Sequence, residues 1–494
     1  TSLAIIIPTG LSSAMAHARQ GAVRFDLVRH IGPGIVAGVA AGTWLASGMN
    51  AQEMKTIFVS TILLACVFIA CKQKPESYNR PFNDAIVYAK TVKELNNVVM
   101  ENNFPPIIAS RNYVYANITA YEVMVIGDKR FQSLAGQLKG LGPLPVQDTA
   151  HVDFQYASLL AFCKVGQAVT FPEGSMKTYV ASIDSLALAN GMNEEMKQAS
   201  IRLADSVANH ILRWSKKDNY AQTRTSEKYN ITSEEGRWVP TPPAYAQALE
   251  PHWNEIRTMV MDSASQFVPP LPPVFDIKNK GSKYYSEVMD VKNAGDSLTD
   301  EQKHIAEFWD DLGTRMNVEG HVMFVTKKFS PTGHWMNIVG IAAEKAKLDF
   351  STTVYAYTKT AIAMFDAFIQ CWDEKYRSNT ARPESVINKY IDQEWRPYLQ
   401  TPPFPEYTCG HSTVSAAAAE ALTDVFGDNF AYTDTSELEF GIKNRSFRSF
   451  RDAAIENNWA RFYGGIHFHN SCLVSTEYGK KVGTLVNQKL KMKK

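Results

Sequence analysis

The sequence predicts an all-α protein, and three observations carry that expectation. Apolar residues recur at i, i+3 and i+4 along several long stretches, capping residues and an alanine run mark helix starts and bodies, and β signal is scarce throughout. With 494 residues the chain has room for two or three domains, or for one large helical one. A net charge of +1 supplies no field for a nucleic acid or an acidic surface, so no nucleic-acid partner is expected. The cysteines (Cys66, Cys71, Cys163, Cys371, Cys409 and Cys472) show no zinc spacing and no CxxC pair. They are too sparse to staple a chain of this length.

Residues 1–53 are apolar, Gly-rich and poor in charge. Ala4-Ile-Ile-Ile-Pro-Thr-Gly-Leu-Ser-Ser, Gly21-Ala-Val-Arg-Phe-Asp-Leu-Val-Arg and Pro33-Gly-Ile-Val-Ala-Gly-Val resemble a piece of a TauE/SafE-type sulfite-exporter permease. The apolar part from Ile35 to Ser47 is shorter than the ~20 residues a spanning helix needs, so this fragment is expected to transport nothing and to be foreign to the rest. The chain restarts at 54–71 as a signal peptide: basic Met54-Lys55, apolar Thr56–Ala70, then Phe68-Ile-Ala-Cys71, which resembles a bacterial lipobox. The alternative is a buried or spanning apolar segment with an incidental cysteine. A signal peptide does not belong behind another protein, so the expected native start is Met54. The mature chain would then begin at lipidated Cys71 and be held on a bacterial membrane by its lipid anchor, in the periplasm or at the cell surface.

Residues 72–237 read as an N-terminal helical domain, with helical periodicity over Tyr88–Met100 and Ile107–Val125. Met196–Lys216 repeats it, with Ile201, Ala204, Val207, Ile211 and Trp214 on one face. Residues 238–296 are a connection whose prolines, Pro240 to Pro273, forbid a continuous helix. In 297–494, Ser297-Leu-Thr-Asp-Glu301 is a helix start, and that helix is expected to run to Leu312. Phe350 to about Tyr376 is a long amphipathic helix that delivers Lys375. Ser412–Phe426, with Ala416–Ala419, is a strong helix. Thr408 is its expected cap, which puts Gly410 and His411 in a first turn whose free amides and dipole face an anion. Gly410 is expected to let the backbone approach closely.

Three cations and two histidines punctuate this last region: Lys375-x6-Arg382-Pro383, Pro403-Phe-Pro-Glu-Tyr-Thr-Cys-Gly-His411, and Arg461-x5-His467. Singly, each has a bland reading: a solvated helix face, a turn, a structural histidine. Together, fixed cations hold a dense oxyanion, and two histidines bond its central atom and move a proton. The set resembles the acid phosphatase/vanadium haloperoxidase superfamily, K-x6-RP, PSGH and R-x5-H. Trp372 and Pro403-Phe404-Pro-x-Tyr look like haloperoxidases, and most of 73–494 resembles haloperoxidase-like bacterial lipoproteins, including Glu250-Pro-His-Trp-Asn, Gly320-His-Val-Met-Phe and Gly333-His-Trp-Met-Asn.

The resemblance implies a C-terminal four-helix-type bundle, with two such bundles packed together. It implies vanadate as cofactor, with hydrogen peroxide and halide as substrates. His467 would bond vanadium, and His411 would be the acid–base residue. Lys375, Arg382, Cys409, Gly410 and Arg461 would hold the oxygens, and Trp372 and Phe404 would line the pocket. Asp310 would pair with Arg461. Phe404 stands where chloroperoxidases carry a Phe and bromoperoxidases often a second histidine. A phosphatase acting on a phosphomonoester through a phosphohistidine at His467 is the alternative, as is a non-catalytic phosphate or vanadate binder. Three departures bear on this choice. Cys409 replaces the family serine with a weaker donor, and Thr408 replaces the proline. Ser471 stands where many phosphatases have an Asp, so His467 is expected to lack that orienting partner. His469 is read as a surface or supporting histidine.

Overall fold

The computed structural model describes residues 77–145, 148–312, 315–319 and 321–494. The permease-like stretch, the signal peptide and Cys71 lie outside those residues. The described chain begins with α1 (Ala85–Glu101), where Asp84 caps the amides of Ile86 and Val87. α2 (Pro106–Gly127) opens on a proline, which has no N–H to leave unpaired. It is buried around its whole circumference, the mark of a central helix. α3 (Phe154–Ala168), α4 (Lys177–Ala189), α5 (Glu194–Ser215) and α6 (Tyr220–Thr223) follow. On α5 the buried face holds Ala204, Val207, Ile211 and Trp214 as expected, with Ile201 half-buried at its edge.

The proline-rich connection forms no α-helix before α7 (Lys283–Asp296) and has one 3-10 turn, Trp253–Glu255. It acts as a strap. The Leu249 amide donates to the Pro403 carbonyl (2.9 Å), and the Leu249 carbonyl accepts from Trp372 Nε1 (3.2 Å) and the Tyr376 hydroxyl (2.6 Å). The strap thus ties the Lys375 helix to the loop before Gly410.

α8 (Asp300–Phe308) starts on a full capping box, Thr299 with Gln302. It ends at Phe308, short of the expected Leu312, and Trp309 is its C-cap. Two carboxylates, Asp310 and Asp311, come next, and negative charge opposes the dipole at a helix C-terminus. The hairpin β1 (Arg315–Glu319) and β2 (Val322–Thr326) leads to α9 (Pro331–Lys345), α10 (Phe350–Ser378) and α11 (Pro383–Tyr390). α12 (Gly410–Phe426), the short hairpin β3 (Tyr432–Asp434) and β4 (Arg445–Phe447), α13 (Phe450–Tyr463) and α14 (His469–Lys489) complete the chain.

Among the described residues the main hydrophobic core runs from Phe82 to Met492 and is threaded by α10, with a smaller cluster around Val288, Ile387 and Trp395. On one side α10 packs against α1, α2 and α9, on the other against α12 and α14. α12 and α14 touch backbone to backbone: a Cβ on Gly479 would sit 2.1 Å from the Thr413 carbonyl oxygen, and one on Gly483 2.8 Å from that of Ala417. The small residues at this crossing bring the start of α12, with His411, close to the loop before α14, with His467. Among the described residues no helix is long and apolar enough to cross a membrane.

Candidate active site

The last turn of α10 buries Lys375 completely. Its Nζ donates to the carbonyls of Pro405 (2.8 Å) and Glu406 (3.0 Å), so one of its three N–H groups is uncommitted. The Phe404 and Trp372 rings lie 4.9 and 5.6 Å from the ammonium. Burial pushes the Lys375 pKa down to about 8.

Arg382, fully buried at the N-cap of α11, donates Nε to the Phe404 carbonyl (2.8 Å) and Nη1 to that of Ile466 (2.8 Å). Nη1 also lies 2.9 Å from His467 Nε2. A guanidinium only donates, so His467 Nε2 must be the unprotonated nitrogen. The other nitrogen, Nδ1, then carries the proton and donates it to Glu406 Oε1 at 2.7 Å. This fixes a neutral ring with its lone pair turned toward the cations, as a metal-bonding histidine requires. Burial lowers the Arg382 pKa to about 10.

Arg461, in the last turn of α13, donates Nη1 to the Trp309 carbonyl. His411 lies in the first turn of α12, where backbone amides have no intrahelical acceptor. Burial, then Arg461, holds the His411 pKa well below its usual value, so the ring is neutral and ready to accept a proton. Among the described residues Arg382 Nη2 and Arg461 Nε are buried without a hydrogen-bond partner. Unpaired buried donors are costly, and here they fit a ligand with many acceptor oxygens. Arg382, Arg461, Lys375 and the α12 amides would hold the oxygens of vanadate, and His467 Nε2 would bond its metal.

The profile of the VCPO second helical-bundle domain matches residues 355–493, and that of the sulfite exporter TauE/SafE matches residues 1–99. No curated protein matches the sequence. The crystal structure described as the first bacterial vanadium-dependent iodoperoxidase is 41% identical with a TM-score of 0.79, over 84% of this chain and 99% of that one. The chain belongs to the vanadium-dependent haloperoxidase family. The holo-type bacterial vanadium-dependent chloroperoxidase, at 16% identity and TM-score 0.60 over 78% of this chain and 93% of its own, shares the fold.

Within this haloperoxidase fold, some sequence expectations need correcting. Asp310 makes no ion pair with Arg461. It is buried 3.4 Å from Arg315, while Arg461 takes the neighbouring carbonyl of Trp309. Its neighbour Asp311 faces His411 instead, Oδ2 to Nε2 at 3.7 Å. His467 does have an orienting carboxylate: Glu406, buried in the proline-flanked loop, replaces the side chain absent at Ser471. The α12 cap is Cys409, not Thr408, whose hydroxyl points to Cys371 Sγ at 3.3 Å. A Cβ on Gly410 would meet Trp372 and Phe368 at ordinary contact distance, so no protein neighbour demands glycine there. His469 is half-buried and stacks on Trp459 at 4.1 Å.

Cys163, Cys371, Cys409 and Cys472 are buried free thiols. Cys409 and Cys472 form a buried pair of thiols. Burial and Cys409 push Cys472 up. Glu406 was findable: it is the acidic residue inside the segment that carries the pattern up to Gly410-His411.

Proposed function

We propose that this chain is a vanadate-dependent haloperoxidase that oxidises halide with hydrogen peroxide. The observation that carries the reading is the Arg382–His467–Glu406 array, which leaves His467 Nε2 as a lone-pair donor among buried cations. Vanadate, when bound, supplies the Lewis acidity that makes peroxide an oxidant of halide. Lys375, Arg382 and Arg461, all three buried, would balance the charge of its oxygens. Neutral His411 takes a proton from incoming peroxide and returns it to the departing oxygen. Iodide, the halide most easily oxidised, is proposed as the best substrate, in keeping with the iodoperoxidase relative.

The test is halogenation of a dye by the purified protein with peroxide and iodide, bromide or chloride, before and after orthovanadate loading. Turnover that depends on vanadate and runs highest with iodide is expected. Vanadate binding without turnover, together with hydrolysis of a phosphomonoester, would move the reading to a phosphatase.

We also propose that the protein is anchored outside the cytoplasm through a lipid on Cys71, which the Phe68-Ile-Ala-Cys71 segment supports. Incorporation of labelled palmitate that is lost in Cys71→Ser is the expected result, and incorporation that survives the substitution would sink the idea.

A further inference from the structure

Behind His411 lies a buried charged group that oxyanion binding does not use. His334, in the first turn of α9, is fully buried. Its Nδ1 is 2.9 Å from Asp311 Oδ1 and its Nε2 is 2.9 Å from Asp434 Oδ2 on β3. A carboxylate only accepts, so both ring nitrogens carry protons and the ring is an imidazolium. Its pKa agrees: burial opposes the charge, but Asp311 and Asp434 outweigh it and raise the value well above the usual one. Trp309 stacks on the ring at 4.7 Å, and Asp434 is itself held through Oδ1 by the Ser436 amide and hydroxyl.

Asp311, Glu437 and His334 lie close enough to share a metal ion. With both ring nitrogens protonated, however, His334 has no lone pair to give one. The charge also balances without an ion. Lys328 Nζ is 3.5 Å from Glu437 Oε2, and burial pushes the Glu437 pKa up to about 7.

Asp311 is therefore gripped by one oxygen. Its other oxygen, Oδ2, has no partner, and it faces His411 Nε2, which has none either, across 3.7 Å. That gap is too long for a hydrogen bond, but catalytic hydrogen bonds are often long before ligand binds and tighten afterwards. Arg461, Cys409, His467 and His334 also face His411, and none of them is an acceptor committed to this nitrogen.

We propose that His334 is a positioning residue: with Asp434 it locks Asp311 so that Oδ2 holds the Nε2 proton of His411, leaving Nδ1 as the base. The inference rests on the reading of His411 as the acid–base residue.

The test compares full-length wild type with His334→Gln, each labelled with 15N-histidine and free of vanadate. Wild-type His411 should show the Nε2–H tautomer, and the variant should lose that signature. In loaded enzyme kcat should fall about 10- to 100-fold, with KM for peroxide and vanadate affinity unchanged. Asp434→Asn should act in the same direction, and it carries the test if His334→Gln does not fold. A folded variant that keeps the His411 tautomer would overturn the proposal. So would stoichiometric zinc in the purified protein that is released by His334→Gln. A tautomer change in a protein that never turns over halide would uphold the positioning role and defeat the haloperoxidase reading.

Discussion

Asp218 and Arg382 are buried to the same depth, but their surroundings differ. Asp218, near the start of α6, has every direction filled: Oδ2 accepts from Arg111 Nε (2.7 Å) and the Tyr115 hydroxyl (2.8 Å), and Oδ1 from the Tyr220 amide (2.9 Å). Asp366 in α10 is treated alike, taking the amides of Met259, Val260 and Met261. Around Arg382, by contrast, several donors point at nothing. Burial of charge alone does not mark a functional site. A closed set of partners reads as scaffold, and an open set reads as a place for a ligand.

The sharpest way to break this contrast is to remove Asp218. Asp218→Ala leaves Arg111 charged and unpaired and should cost about 3–5 kcal/mol in denaturant melts, without changing which oxyanion is bound. Next, orthovanadate at a hundred times its dissociation constant should stabilise the wild type by about 2.7 kcal/mol. It should do so far less in Arg382→Met. Equal stabilisation of both would mean that the open donors are not the binding site.

Glu406→Gln keeps a hydrogen-bond acceptor for His467 but removes the charge, and should weaken vanadate binding about 10- to 100-fold in equilibrium titration. The pH dependence tests Lys375. Burial lowers its pKa to about 8, so the ammonium is present below that pH and lost above it. Vanadate affinity of the free site should fall by up to about tenfold per pH unit once pH exceeds 8, and a flat profile would exclude Lys375. The smallest effect is expected from Cys409→Ser. A hydroxyl is the better donor, and one neutral hydrogen bond is worth about 1 kcal/mol, a tightening of roughly fivefold. Weaker binding would show that the thiol has been put to another use.

Much of this was legible in the sequence, for a physical reason. Helices advertise themselves by period, so α1, α2, α5, α10 and α12 fell close to their expected ranges. Lys375, Arg382, His411, Arg461 and His467 stand at fixed offsets from helix ends, so their pattern survives in one dimension. What was lost lies in aperiodic chain. Asp310 and Asp311 follow a helix end, where a shift of one residue exchanges a neighbour of Arg315 for a neighbour of His411. Glu406 sits among prolines with no period to say which way it points. The cluster of His334 and Asp434 joins residues whose nearness only the packing of α9 against β3 creates.

The unbroken run of α10 has one more consequence. Its 29 residues span about 43 Å at 1.5 Å per residue, from Phe350 in the core to the turn that presents Lys375. Each residue along that path also sets an angle of about 100°. Deleting or inserting a single residue anywhere between them would swing the ammonium off the anion even if every packing contact could be rebuilt. The length of this helix is thus as much a property of the site as the identity of the lysine.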